Sequence, residues 1–393
     1  MTDTPRSLVR RPAWPTSTSR PVVTPLQPSV VYASPDPDAL DAQYEGGTGF
    51  TYAREGHPNA SVLAEKIDGL EGIKGGIITG SGMSAVGAVF LGVLKAGDHV
   101  LGADQLYGRT LRLMSEDLPK FGVETSLADP TDAASMEAAI RPNTRMIVVE
   151  VVSNPTIRIA DMDGIAKLCR ARGILLMVDN TFTTPRGYQP FDHGADIVIH
   201  SVTKLLAGHS DATLGYAVAK DPTLMEKINI ANVTWGLTPS PFDCWLAERG
   251  LQSFDLRYDR AEATATALSA ALADLPGVLR VLHPSRTDHP DHNRAATILG
   301  HRPGNMMSFE VAGGRAAANA LTRAAPDLPF APTLGDVGTT LSHPASSSHR
   351  ALTPEGRAAL GISEGFFRVS VGLEDPALLI DELTKAIAAS QNT

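Results

Sequence analysis

The chain has 393 residues, 43% of them hydrophobic, and a formal charge of −9 with a pI near 5.7. That length would hold two or three domains around a sizeable core. The acidic balance argues against a nucleic-acid partner, and no apolar run is long enough to span a bilayer. Arg6, Arg10 and Arg11 have no apolar stretch behind them, so a secretory signal is not expected. Cys169 and Cys244 lie far apart without metal-ligand spacing, as suits reduced thiols of a cytoplasmic protein; no metal site is expected.

In chain order, residues 1–55 are rich in Pro, Ser and Thr and show little periodicity. Residues 1 to about 20 read as a disordered tail, and 21–44 as an arm whose apolar side chains want a surface. Residues 60–70 have helical spacing, with Val62, Leu63, Ile67 and Leu70 on one side. A short strand then runs into Gly80-Ser81-Gly82-Met83 and an apolar helix that ends near Gly97. Strands are expected near Val100 and Val123 and over 147–151, with helices over 110–118, 133–140 and 164–172. Two short continuous apolar runs follow, 174–178 and 197–199, of the kind a parallel sheet buries on both faces. The alternation predicts an α/β sandwich with a mostly parallel sheet. Beyond about Thr234, helices over 239–251, 258–275 and 376–389 mix with strands over 278–282, 306–311 and 366–371, as in a smaller α+β domain. The expected division is an arm over 1–55, an α/β domain over 56–235 and a C-terminal α+β domain over 236–393. No internal repeat or low-complexity tract is present.

In such sheets ligands sit beyond the carboxyl ends of the strands. The first apolar run delivers Asp179 to that edge; the second delivers Ser201, Thr203 and Lys204. Pyridoxal phosphate needs a lysine for its Schiff base and an acid facing its ring nitrogen. It also needs donors for its phosphate, which Ser201, Thr203 and a helix start at Gly82 could supply. The plainer alternative is that Asp179 caps a turn and Lys204 is solvated. A nicotinamide site is not expected, since no GxGxxG follows a strand with an acid about twenty residues on.

Val-Asp-Asn-Thr-Phe at 178–182 and Ser-Val-Thr-Lys-Leu-Leu-Ala-Gly-His-Ser-Asp at 201–211 resemble the two signatures of the Cys/Met-metabolism family of pyridoxal-phosphate enzymes. The likeness runs from about Pro21 to the last helix. It implies the aspartate-aminotransferase-like fold (fold type I), with the α/β domain holding the cofactor. It also implies a homotetramer of two tight dimers with shared active sites. By the resemblance, Ser81, Gly82 and Met83 hold the cofactor phosphate with Ser201 and Thr203, and Thr181 joins the cofactor-binding set. Tyr52 and Arg54, in Tyr-Ala-Arg-Glu-Gly-His-Pro-Asn, reach the phosphate in the neighbouring subunit. Tyr107 stacks on the cofactor ring and serves as an acid or base. Asn154, in Glu-Val-Val-Ser-Asn-Pro, lies by the cofactor's phenolic oxygen and the substrate carboxylate. Arg368 clamps that carboxylate, and Thr333 stands where the family usually has Ser.

Lys204, Tyr107 and Asp179 are then the catalytic set, and Asn154, Thr333 and Arg368 bind an amino-acid substrate. Lys204 yields the cofactor to the substrate amine and shuttles protons, while Asp179 keeps the ring nitrogen protonated. Members that handle cystathionine often place acids where this chain has Thr51 and Gly338, and methionine lyases carry Cys where it has Arg109. Ser347 and Ser348 replace Met-Thr in a further family stretch before His349. The first expectation is γ-elimination on methionine, homocysteine, cystathionine or an O-substituted homoserine. The second is γ-replacement, as in cystathionine γ-synthase or O-acylhomoserine sulfhydrylase. From another class comes a non-catalytic cofactor-binding regulator.

Overall fold

The computed structural model describes residue 15 and residues 17–46, 48–350 and 352–392. Most of the expected tail, including Arg6, Arg10 and Arg11, lies outside the described residues. Seven strands make the larger sheet: β1 (Ile77–Thr79), β2 (His99–Ala103), β3 (Glu124–Ala128), β4 (Thr144–Glu150), β5 (Leu175–Asp179), β6 (Ile197–His200) and β7 (Gly215–Ala219). Their order is β1-β7-β6-β5-β4-β2-β3. Neighbours from β3 to β6 pair in parallel, and β7 runs antiparallel to both β6 and β1. Helices cover both faces, so Val148, Val149, Val178 and Val198 are buried. This is the expected mostly parallel sheet, and it accounts for the unbroken apolar runs.

A second sheet of four antiparallel strands has the order β10-β11-β9-β8. It comprises β8 (Val278–Leu282), β9 (Met306–Val311), β10 (Thr340–Ser342) and β11 (Phe366–Ser370). Phe309 and Phe367 stack in its own core at 5.5 Å between ring centroids, under the helices Gly314–Ala324 and Pro376–Ser390.

Three departures from the sequence expectation have local causes. The arm contains a helix, α1 (Pro37–Tyr44), whose start is fixed by Asp36 accepting from the Ala39 amide at 2.8 Å. None of its side chains is buried, so it left no apolar period to read. The helix expected over 110–118 is broken: α-helical over Gly108–Arg112, a π turn over Leu113–Asp117, then a 3₁₀ turn over Leu118–Phe121. Pro119 brings no amide, so the α-helical bond it would donate is missing there. Strand β7 was not anticipated, because Gly215-Tyr-Ala-Val-Ala lacks a β-branched run. Gly215 is small of necessity: a Cβ there would lie 2.1 Å from the Ser81 carbonyl oxygen.

Candidate active site

The carboxyl ends of β4, β5 and β6 lie side by side. Register pairs Glu150 with Asp179 and Asp179 with Ile199. The chain turns immediately after β6, and the turn carries Ser201, Thr203 and Lys204 to the same edge.

Lys204 is partly buried, and its Nζ donates to Thr333 Oγ1 at 3.3 Å. Burial, with the nearby Arg368 guanidinium, holds its amine below the usual lysine range. The loop behind it is tightly tied. Arg257, buried in the helix Phe254–Ala273, donates to the carbonyls of Leu205, Leu206 and Gly250 at 2.8–3.0 Å. Gly208 (φ +74°) leaves room for that guanidinium: a Cβ would sit 2.0 Å from Arg257 Nη1. Gly335, two residues after Thr333, could not carry a Cβ either, since that atom would lie 2.5 Å from the Leu205 amide nitrogen.

Asp179 accepts from the Thr181 amide at 3.0 Å. Burial pushes its carboxyl up, opposed by that hydrogen bond and by the proximity of His200. No cation pairs with it among the described residues. Thr181 Oγ1 in turn accepts from the Ser201 amide at 2.8 Å, stitching the two strand ends together. The Thr203 hydroxyl donates to the Leu214 carbonyl and accepts from the Leu214 amide, so here it braces the return to β7.

Facing this edge is the start of α3 (Gly82–Val93). Ser81 is its N-cap and accepts from the Ser84 amide at 3.0 Å. Gly82 has no room for a side chain: a Cβ would lie 2.7 Å from Ser201 Cβ. Close approach of a helix start to a hydroxyl-bearing turn makes a compact anion seat. Met83 Sδ lies 4.0 Å from the Thr110 hydroxyl, linking α3 to the helix that follows Tyr107.

Arg368 comes from β11 in the second sheet and is buried at 5% exposure. Nη1 donates to Asn154 Oδ1 at 2.8 Å and Nη2 to the Thr333 carbonyl at 2.5 Å. Its Nε is buried without a partner. Burial without a paired carboxylate pulls its pKa down to about 10. Asn154 follows β4 and precedes a cis bond to Pro155. Tyr107 stands half-exposed at the N-terminus of α4 (Gly108–Arg112), its amide donating to Glu150 Oε1 at 2.6 Å.

Lys204, Asn154, Thr333 and Arg368 thus join in one hydrogen-bonded set, with Asp179, Thr181 and Ser201 joined in a second set on the same sheet edge. Tyr52 and Arg54 are not joined to either within one chain. Arg54 lies over the Tyr52 ring at 5.5 Å and reaches the Val233 carbonyl, while Glu55 accepts from the Thr51 hydroxyl. Arg257 escaped sequence reading because an arginine in a long helix looks solvent-facing. His200, set in an apolar run, reads as a core residue, and it is fully buried with its Nε2 paired to Glu71 of α2 (Pro58–Glu71). Nothing in the sequence pointed to Glu71 as that partner.

A partly buried acid with no cation beside it, a partly buried amine with a depressed pKa and a buried guanidinium with an unpartnered donor are costly by themselves. They suit a bound group that brings a ring cation, an electrophile and an anion, together with a substrate carboxylate. The donor set therefore fits pyridoxal phosphate.

Comparison with known proteins agrees. Residues 7–388 match the model of the family described as Cys/Met metabolism PLP-dependent enzyme. A cystathionine beta-lyase MetC of Bacillus subtilis (strain 168) is 38% identical over 337 residues, covering 85% of each chain. An L-methionine gamma-lyase of Pseudomonas putida is 36% identical over 372 residues, 94% of this chain and 93% of that one. The crystal structure of cystathionine gamma synthase from Xanthomonas oryzae pv. oryzae in complex with cystathionine superposes with a TM-score of 0.89 at 35% identity, covering 95% of this chain and 94% of the other. The chain is therefore a PLP-dependent enzyme of the Cys/Met metabolism family, with the α/β fold of the trans-sulfuration enzymes.

Proposed function

We propose that the enzyme catalyses γ-elimination on a sulfur- or oxygen-substituted homoserine-type amino acid such as methionine, homocysteine or cystathionine. The observation that carries this reading is the convergence of Lys204 and Arg368 on Thr333, with Asn154 on the other side of the guanidinium. One end of that set suits an α-carboxylate, and the other suits proton transfer at the adjoining carbon.

Bound pyridoxal phosphate supplies an aldehyde that links covalently to amines and a ring that takes up the electron pair left at Cα. Lys204 would hold it by that link. Ser81, Gly82, Met83, Ser201 and Thr203 would hold its phosphate, and Asp179, with Thr181 behind it, would face its ring nitrogen. The free Nε of Arg368 offers one further hydrogen bond to a substrate carboxylate, which fixes the amino acid for reaction. The Lys204 amine, its pKa lowered by burial, would take the Cα proton, pass it on and then take a Cβ proton, so that the γ substituent leaves with its bonding electrons. Tyr107, half-exposed above the edge, is placed to protonate the departing thiolate or alkoxide. General acid–base work of this kind contributes roughly 10²–10⁴-fold.

Two carboxylates lie near Gly338, those of Asp336 and Glu374. Asp336 accepts from Ser210 and the Gly338 amide, and Glu374 from the Thr339 amide and hydroxyl. Positions 51 and 338 themselves carry Thr51 and Gly338 in place of the acids that would meet the distal ammonium of cystathionine, which favours smaller or uncharged side chains. γ-Replacement is the second reading, supported by the likeness to a cystathionine gamma synthase.

The arm of residues 21–55 would reach a neighbouring subunit, with Tyr52 and Arg54 completing that subunit's phosphate seat. Val22, Val23, Val30, Val31, Trp235 and Phe242 are exposed apolar residues that such an assembly would cover. We extend this to a homotetramer in the cytoplasm, built from the domains expected over 56–235 and 236–393. No helix among the described residues is long and apolar enough to cross a membrane.

A panel of amino acids, assayed for 2-oxobutyrate, pyruvate and ammonia with and without an added thiol, tests the reaction. Release of 2-oxobutyrate from methionine or homocysteine without thiol is expected. Product only with thiol would replace the reading by γ-replacement, and pyruvate would replace it by β-elimination.

A further inference from the structure

Glu150 has no part in the chemistry above, yet it is among the least accommodated groups in the protein. It ends β4 directly beside Asp179 on β5, and it is buried at 7% exposure. One oxygen, Oε1, accepts from the Tyr107 amide at 2.6 Å. The other, Oε2, is buried without a partner. Around it stand Asp179 on β5, the Tyr107 amide at the start of α4 and Asn154 in the following loop. Behind Asp179 lie His200 on β6 and Glu71 on α2.

Two carboxylates side by side in a buried strand edge cannot both carry charge cheaply. Asp179 has the Thr181 amide at 3.0 Å and a nearby histidine to favour its anion. Glu150 has the Tyr107 amide on Oε1, its Oε2 has no partner, and burial and the charge of Asp179 both oppose its anion. Of the two carboxyls, Glu150 is the one with less to hold a charge in place.

We propose that Glu150 is a positioning residue that works as a neutral carboxylic acid: it fixes the Tyr107 end of α4 through Oε1 and leaves Asp179 as the one charged member of the pair, free for the cofactor's ring nitrogen. This rests on the cofactor placement proposed above. It makes Glu150 the link between two parts of the site that share no direct contact, the aromatic flank and the acid.

Two measurements test it. Infrared difference spectra of wild type against Glu150→Gln, on both cofactor-free and loaded protein at neutral pH, should contain the carbonyl stretch of a protonated carboxylic acid that the variant lacks. Cofactor binding, followed by visible titration with pyridoxal phosphate, should weaken by about 10–100-fold in Glu150→Ala, the usual effect of losing a supporting partner. The same titration should weaken by less than about threefold in Glu150→Gln, which keeps the acceptor for Tyr107 and carries no charge. Absence of the band, or a Gln variant as weak as the Ala variant, would overturn the proposal. A wild type that takes up no pyridoxal phosphate would instead refute the cofactor placement, and the infrared band would still report the proton on Glu150.

Discussion

Arg368 and Asn154 are 214 residues apart in the chain, and Nη1 of one lies 2.8 Å from Oδ1 of the other. The contact joins the small antiparallel sheet to the end of β4 in the large one. Asn154 holds one arm of the guanidinium and the Thr333 carbonyl holds another, while Nε is left buried without a partner.

That geometry predicts the outcome of Arg368→Lys. An ammonium keeps the charge but cannot hold Asn154 and Thr333 while also binding a carboxylate. The substrate KM should rise by about 10–100-fold, with kcat falling less, since the lost interaction serves ground state and transition state alike. Steady-state kinetics on the best substrate of the panel checks this. A change confined to kcat would remove Arg368 from carboxylate binding.

Lys204 predicts a conflict between stability and function. Burial and Arg368 hold its folded pKa below that of the unfolded chain. The unfolded state therefore binds more protons over the window between the two values, and stability rises as pH climbs through it. In cofactor-free protein, Lys204→Met should raise the unfolding midpoint at neutral pH, and the gain should shrink as pH approaches the ordinary lysine range. The same variant should lose the visible absorbance of lysine-linked cofactor and turn over more than about 10⁴-fold more slowly, beyond the roughly 10²–10⁴ of acid–base catalysis alone. Unfolding curves at two pH values and a cofactor-loading spectrum suffice.

The acid limit of stability has a different source. His283 is fully buried, its two ring nitrogens engaged by Ser285 and the Gly304 carbonyl, and burial brings its pKa down from 6.5 to about 4. His349 is lowered to about 4 as well, by burial and then by Arg368. As pH falls from 6.5 towards about 4, the unfolded chain takes up protons that the folded one refuses, and stability is lost. A single such histidine accounts for about 3 kcal/mol over that window. Denaturant titrations of wild type and His283→Gln should converge as pH drops, the variant showing the shallower dependence.

Two glycines on α3 should behave in opposite ways. At Gly82 an added methyl would collide with Ser201, so Gly82→Ala should open the anion seat and weaken cofactor binding by at least tenfold. At Gly87 the nearest atom to a new Cβ is Leu237 Cδ1 at 3.8 Å, an ordinary contact. Gly87→Ala should retain binding and gain up to about 1 kcal/mol from helix propensity. Parallel thermal unfolding and cofactor titration of the two variants distinguish a seat from a merely glycine-rich turn.

Much of this was legible from residues alone because the parallel strands advertise themselves. A strand buried on both faces must be apolar throughout, so the polar residue that ends it marks the sheet edge, and Asp179 and Lys204 stood out on that ground. The strand β7 gave no such mark, because close packing against Ser81 selects Gly at its first position and only one of its five residues is β-branched. Helix α1 gave none either, since it buries nothing within its own chain.

What the amino-acid order determined by itself was local: strand ends, helix starts and the types of chemistry they display. The tertiary structure alone decided which of them meet. Bringing Arg368 of β11 to Asn154, seating Arg257 beneath the Lys204 loop and setting Glu150 against Asp179 all depend on contacts between segments distant in the chain. Such contacts follow from how the two sheets and the long helix pack, and no short-range pattern of residues encodes that packing.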